Sequence, residues 1–337
     1  MAPAVDPAGG VIPQPLEGAA PALPGLWLGT WSLGGEGFGP QDLGEVQQLL
    51  ELAIDAGIRH FDTAGLYAHG RSEELLGHAV RRRRRRALFL STKGGLAWEG
   101  RSVRHRARPE DLRQALIQSL QRLGTDFVDL YQLHWPDPEV PLAESLGALA
   151  DLCAEGWARF WGAGNLTAAE VRAHVPAGSC MPHQVAHNPV HRSDVVLAAG
   201  AEAARCVNVV VSPFEQGLLA GGRGSGGLTV LGKRDLRRRN PRFFDPAVAS
   251  WVAELQRLVE PEARAPAVLS WILAQPNVDV VVAGPRHIPQ LRELLACWRR
   301  AAALGLSDAD RAEGRRALEE ALGPELLAHL DSGPEVG

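Results

Sequence analysis

Apolar residues along this chain follow two alternating rhythms. Short, nearly continuous apolar runs occur at 26–31, at 58–61 closing on Asp62, and at 87–93, 127–134, 158–162, 183–188, 207–212 and 278–283. Between them, apolar positions recur at helical spacing. In 41–56 the residues Leu43, Val46, Leu49, Leu50, Ala53 and Ile54 share one face, and Gly57 follows as a residue free to adopt positive φ. Ser72 is predicted to cap a second helix, with Glu73 and Glu74 in its first turn. Pro109, Glu110 and Asp111 open a third, whose apolar face is Leu112, Ala115, Leu116, Leu120 and Leu123. Further helices are predicted over 141–156, after a Thr167 cap, over 193–205, and over 246–273 in two pieces broken near Pro261 and Pro266. Two more close the chain, the second capped by Ser307.

Eight strand-helix alternations with short connections predict an α/β protein, a (β/α)8 TIM barrel. The unbroken apolar runs suit parallel strands buried on both faces. An open doubly wound sheet is the alternative. Against it, no Gly-x-Gly-x-x-Gly follows the first strand. Residues 1–24, rich in Pro, Ala and Gly, are predicted to be a mobile N-terminal extension, and 25–337 one barrel domain. The stretch 217–245 is rich in Gly and Arg and weakly periodic, the mark of a functional or disordered loop.

Composition narrows the function classes. The 337 residues are 45% hydrophobic and 22% charged, with a net charge of -4, so nothing in bulk favours nucleic acid or a membrane surface. No apolar run of about 18 residues predicts a membrane span. The N-terminus lacks the basic start and apolar core of a signal peptide. Cys153, Cys180, Cys206 and Cys297 show no metal-ligand spacing, which predicts no metal site and free thiols in a reducing cytoplasm. The six arginines from Arg81 to Arg86 are read as a solvated helix end.

Chemistry concentrates at the strand ends. Only two tyrosines, Tyr67 and Tyr131, and two lysines, Lys93 and Lys233, occur in the chain. Asp62, Lys93 and His134 end successive strands, and Tyr67 lies five residues past Asp62. The strand ends together read Trp31, Asp62, Lys93, His134, Asn165, Gln184, Ser212 and Gly284. In a barrel this is where active-site groups stand. An ammonium paired with Asp62 is expected to lower the pKa of the Tyr67 phenol, and a histidine in reach would orient a carbonyl or relay a proton. Such a site protonates an oxygen as charge develops on it.

The stretch Gly-Ile-Arg-His-Phe-Asp-Thr-Ala at 57–64, with Tyr67 and then Gly-Arg-Ser-Glu-Glu-Leu-Leu-Gly at 70–77, resembles the signature of the aldo-keto reductases, over essentially 26–298. The resemblance implies a catalytic tetrad of Asp62, Tyr67, Lys93 and His134. It implies an NADPH site in which Asn165 and Gln184 hold the nicotinamide carboxamide. Ser212, Pro213, Phe214, Gln216 and Gly217 would meet the phosphates, and Gly284, Arg286, Gln290 and Glu293 the adenosine end. Gly29, Thr30 and Trp31, at the first strand's end, are counted with the cofactor contacts. Arg286 has the forked donors that suit the phosphate distinguishing NADP from NAD. Gly164, Val211 and Leu294 depart from the family's serine, aromatic residue and asparagine, and the family's N-terminal hairpin is not evident.

The implied activity is reduction of an aldehyde or ketone by NADPH. Two alternatives stay open: a sugar or alcohol dehydrogenase running the reverse direction, and an NADP-binding regulatory subunit with little turnover. The expected partner is a small carbonyl compound. Trp31, Trp98 and Trp135 predict an apolar or ring-shaped substrate pocket, and the loops 35–40, 135–139 and 217–245 its selectivity.

Overall fold

The apolar runs pair into one closed ring. The structure, a computed structural model, describes residues 25–81, 83, 85–176, 181–197, 206–220, 232, 235–275, 277–303 and 311–334. The predicted extension 1–24, the Ser307 cap, Cys180, Lys233 and the later part of the 193–205 helix lie outside these residues. The ring is made of β1 (Leu26–Gly29), β2 (His60–Asp62), β3 (Phe89–Glu99), β5 (Val128–Leu133), β6 (Ala158–Gly164), β7 (Met181–Ala186), β8 (Cys206–Val211) and β9 (Val280–Ala283). Each is parallel to both neighbours, and β1 pairs with both β2 and β9, which closes the (β/α)8 TIM barrel.

Helices wrap the outside: α1 (Leu43–Asp55), α2 (Arg71–Val80), α3 (Pro109–Leu123), α4 (Leu142–Ala154), α5 (Ala168–His174), α6 (Asp194–Leu197), α7 (Pro246–Leu258), α8 (Pro261–Leu273) and α9 (Ile288–Ala303). Then α10 (Arg311–Leu322) and α11 (Pro324–Ser332) close the chain. Val46, Leu49, Leu50, Ala53 and Ile54 are the buried face of α1, as the spacing predicts. Gly57 follows it at φ 107°. Thr167 caps α5 through a reciprocal pair with Glu170.

Several sequence expectations are corrected. Ser72 does not cap α2; Gly70, at φ 89°, holds the cap position, and the Ser72 hydroxyl donates to the Thr30 carbonyl at 3.1 Å. Pro266 does not break a helix. It sits inside α8, and the only break is between α7 and α8. Strand β3 does not end at Lys93. Gly94 and Gly95 look like a stop, but Gly95 takes φ 92° and the strand runs on to Glu99. It pairs there with antiparallel β4 (Ser102–Arg106), forming a hairpin above the ring. Arg85 is not a solvated helix end. It reaches the buried Asp129 of β5 at 2.7 Å and lies 4.3 Å from the Phe127 ring centroid.

Close packing also fixes α2 against α3. A Cβ on Gly77 would come within 2.6 Å of the Arg122 carbonyl oxygen and 2.8 Å of that of Leu123. Alanine favours a helix over glycine by about 1 kcal/mol, but overpacking costs about 1–3 kcal/mol. Gly77→Ala is therefore expected to lower the melting temperature in thermal circular dichroism. An unchanged or raised melting temperature would show that the two helices can part without cost.

Candidate active site

Strand periodicity puts the polar groups in the ring's lumen. Trp27, Phe89, Leu130, Val209 and Val282 form a buried apolar layer of their own, apart from the main core. Side chains on one strand face recur every second residue. Stepping forward from this layer, β3 presents Ser91 and then Lys93, and β5 presents Gln132, with His134 just past its end. On β2, Asp62 stands beside Ser91 in register, and Lys93 beside Gln132.

These residues are bonded into one network. The Lys93 ammonium donates to Asp62 Oδ2 at 2.6 Å, to the Thr63 carbonyl at 3.0 Å and to the Tyr67 hydroxyl at 3.1 Å. Asp62 Oδ1 accepts from the Gln184 side-chain amide and from the Ser91 hydroxyl. Gln132 donates to that same hydroxyl at 2.7 Å. The His134 ring stands edge-on to Tyr67, centroids 5.7 Å apart. All four predicted catalytic groups are thus brought together. Ser91 and Gln132 were not foreseen, although the two-residue period from Phe89 and Leu130 points to them.

Burial sets the protonation states. It raises the Tyr67 pKa above the usual phenol value, and the nearby Lys93 opposes this without reversing it. The expected net lowering is therefore not what this geometry produces, because desolvation of the phenolate outweighs the ammonium. Burial alone would lower the Lys93 pKa, but Asp62 and Tyr67 together raise it. Lys93 stays charged and Tyr67 stays protonated at neutral pH. Burial, helped by the Lys93 charge, drives His134 well below the usual histidine value, so its imidazole is neutral.

A cavity of about 1040 Å³ opens above the network. Gly29, Trp31, Asn165, Gln184, Ser212, Pro213, Phe214, Gln216, Gly284, Arg286, Gln290, Glu293 and Trp135 all line it, together with the four catalytic candidates. Two expected residues do not. Thr30 is buried behind the wall, its hydroxyl donating to the Asp62 carbonyl at 3.1 Å. Trp98 is turned onto the Tyr67 loop, donating to the Leu66 carbonyl at 2.9 Å and stacking on His69. Phe38, Leu66, Leu96 and Arg237 also line the cavity and were not singled out from sequence.

The rim is held in unusual backbone conformations. Asn165, Ser212, Glu215 and Gln216 all have positive φ, rare for residues other than glycine. Asn165 donates its amide to the His134 carbonyl at 2.9 Å. Buried Glu215 anchors the 212–216 turn, accepting from Asn188 at 2.7 Å and Asn240 at 2.6 Å. Burial would raise the Glu215 pKa, but bonds from His191, Asn240 and Asn188 leave it lowered. Arg286 extends its fork to the carbonyl oxygens of Phe38 and Gly39, while its Nε is buried without a partner. Gln290 accepts from the Arg286 backbone N–H at 2.8 Å.

The family model for the Aldo/keto reductase family matches residues 25–311. The chain belongs to that family. It is 29% identical to the aldo-keto reductase YhdN of Bacillus subtilis (strain 168), over 90% of this chain and 93% of the relative. It is 31% identical to the NADH-specific methylglyoxal reductase of Escherichia coli (strain K12), over 88% of this chain and 95% of the relative. Among solved structures it resembles the glycerol dehydrogenase AKR11B4 from Gluconobacter oxydans, with a TM-score of 0.72 and 27% identity, covering 96% of this chain and 98% of that one. The protein is thus a member of an oxidoreductase family that acts with nicotinamide cofactors. No described helix is long and apolar enough to cross a membrane.

Proposed function

We propose that this family member is an NADPH-dependent reductase that converts an aldehyde or ketone to an alcohol, with Tyr67 as general acid. The observation that carries the reading is the Lys93 ammonium, held between Asp62 at 2.6 Å and the Tyr67 hydroxyl at 3.1 Å, on the wall of an open cavity. The cofactor fits the groups present. The same cavity runs from the catalytic candidates to Arg286, Gln290 and Glu293, and among its described lining residues are three buried unpartnered polar atoms, Ser193 Oγ, Gln216 Oε1 and Arg286 Nε. Asn165 and Gln184 would hold the carboxamide, Ser212 to Gln216 the phosphates, and Arg286 the adenosine end. A bound nicotinamide dinucleotide supplies the hydride.

The protein's own work is to manage the proton. Tyr67, protonated across the neutral range, donates to the carbonyl oxygen as negative charge grows there. Lys93 stabilises the phenolate left behind and, paired with Asp62, keeps its own charge in a buried place. Neutral His134 can donate one hydrogen bond toward the substrate oxygen without competing as a stronger acid. Trp31, Leu66, Leu96 and Trp135 give the substrate end an apolar, partly aromatic wall, which favours uncharged carbonyl compounds. Buried or half-buried Cys153, Cys206 and Cys297 suit a reducing cytoplasm.

The test is consumption of NADPH against a panel of aldehydes and ketones, methylglyoxal included. The glycerol dehydrogenase neighbour makes alcohol oxidation with NADP the second reading, so glycerol and simple polyols belong in the same panel. Faster oxidation than reduction at neutral pH would reverse the proposed direction. No turnover in either direction would sink the reading.

Cofactor choice has its own test. Arg286 would exchange the carbonyl oxygens of Phe38 and Gly39 for the phosphate that distinguishes NADP, and Arg237 stands on the same wall. A charge-assisted hydrogen bond is worth about 1.5–3 kcal/mol, and about 1.4 kcal/mol is tenfold. NADPH is therefore expected to be preferred over NADH about ten- to a hundredfold. Arg286→Ala should erase most of that preference and leave NADH use nearly unchanged. The name of the Escherichia coli relative points the other way. Equal wild-type use of both cofactors at limiting concentration would remove Arg286 from this role.

A further inference from the structure

The loop that carries Tyr67 is bent in an unfavourable way. Ala68, His69 and Gly70 are consecutive left-handed residues, at φ 49°, 55° and 89°. Such conformations persist only when the surroundings over-determine them. One of the surroundings is a guanidinium. A Cβ on Gly70 would meet Arg122 Cδ at 2.5 Å and Nε at 2.6 Å, and one on Gly65 would meet Arg122 Nη2 at 2.8 Å. Arg122, from α3, thus lies flush against both ends of the Tyr67 loop, where only glycine leaves room for it.

Arg122 is itself held by a carboxylate with no solvent exposure. Its Nε donates to Glu73 Oε2 at 2.6 Å. The other Glu73 oxygen accepts from the Thr92 hydroxyl at 2.6 Å. Thr92 is the residue before Lys93 and faces outward from the barrel where Lys93 faces inward. A single carboxylate therefore ties the tyrosine loop to the strand of the lysine. An ion pair buried like this is weak evidence for stability, since apolar replacements often do as well. Its value lies in geometry.

We infer that Glu73, with Arg122 and Thr92, is a positioning device outside the barrel wall that sets the Tyr67 hydroxyl against the Lys93 ammonium. None of the three lines the cavity or touches the reacting atoms. The inference rests on Tyr67 being the proton donor. It extends that reading by saying what holds the donor in place.

Two variants test it. Glu73→Gln removes the ion pair, and Thr92→Val removes only the hydroxyl link and changes no charge. A misplacement of about 1 Å far from the chemistry can cost about a hundredfold. Turnover is expected to fall about ten- to a hundredfold in Glu73→Gln and about three- to tenfold in Thr92→Val, with KM and the cofactor Kd within about twofold.

The second readout needs no cofactor. The Tyr67 phenol is faced by Lys93, Asp62 and His134, and a lysine that has drifted lowers the phenol's pKa less. The first tyrosine to ionise, followed by phenolate absorbance, should therefore titrate higher by about half a pH unit or more in Thr92→Val. Buried Tyr131, pushed up by desolvation and by Glu73, is not that tyrosine.

Unchanged turnover and unchanged phenol titration in a folded Thr92→Val would overturn the inference. A fall in turnover with no shift in titration would overturn it too, since the loss would then not pass through Tyr67 and Lys93. If Glu73→Gln does not fold, Thr92→Val decides alone. Tyr67→Phe separates the two layers. Full activity in that variant removes the proton-donor reading, whereas its inactivity beside normal Glu73 and Thr92 variants removes only the positioning role.

Discussion

Tyr67→Phe is expected to bind NADPH as tightly as the wild type and to lose about 10²- to 10⁴-fold in turnover, the contribution a positioned general acid makes. The ring survives the change, so its edge-on contact with His134, its tilted contact with Trp31 and its place under the Lys93 ammonium survive with it. Only the hydroxyl bonded to Lys93 disappears. That proton matters in the transition state and little in the ground state, so kcat should fall while KM and the cofactor Kd hold. Fluorescence titration of the cofactor and steady-state kinetics together check this. Retention of more than about a tenth of the activity would make another group the acid, and His134 would be next. In the wild type, reduction should slow only as pH rises through the raised phenol pKa.

Lys93→Met should damage both stability and turnover. The ammonium is buried and makes three bonds, to Asp62, Thr63 and Tyr67. Removing it leaves Asp62 with its charge, and with Gln184 and Ser91 as its remaining donors. Breaking a buried pair from one side costs about 3–5 kcal/mol, although the two remaining donors favour the low end. The sign of the pH dependence follows from Lys93. Its folded pKa is raised above 10.5, so the pair's stabilisation is fully present below that pH and is lost only as pH climbs through the folded value. The variant should therefore lie below the wild type in urea denaturation at neutral pH and approach it in strong alkali. Its phenol also loses the one charge that opposes burial, so the alkaline limb of its residual rate should move to higher pH. An unaltered pH-rate profile would separate Lys93 from Tyr67 and end the proposed coupling. A double variant, Asp62→Asn with Lys93→Met, should recover part of the stability and none of the turnover.

The eight strands were legible because parallel strands buried on both faces must be apolar along their whole length. The four groups of the candidate site were legible because Asp62, Lys93 and His134 close successive apolar runs with Tyr67 five residues past the first, and because tyrosine and lysine are rare in this chain. Other features were hidden for particular reasons. The apolar run was ended at Lys93, yet Gly95 at positive φ lets the strand turn and continue, so the hairpin over the site went unseen. Ser72 had the spacing of a cap, but the Thr30 carbonyl claims its hydroxyl. Trp98 had the composition of a pocket residue, but its indole N–H finds a partner in the Leu66 carbonyl and turns the ring away. Arg85 sat in a run that looked solvated. Its partner, Asp129, lies on a strand far along the chain.

Sequence alone determined which residues could do chemistry here and at which end of the barrel they would meet. The repeat of apolar runs predicts eight buried parallel strands, whose closure into a ring the pairing of β1 with both β2 and β9 then supplies, and a two-residue period on each strand decides which side chains enter it. Tertiary structure alone decided how those side chains are charged and held. The Tyr67 pKa depends on whether desolvation or Lys93 dominates, which no order of residues reveals. It is raised because the phenol is buried more deeply than one ammonium can offset. The bond from Arg122 to Glu73 likewise joins residues 49 apart in the chain. Only the packing of α3 on α2 brings that guanidinium against the two glycines of the tyrosine loop.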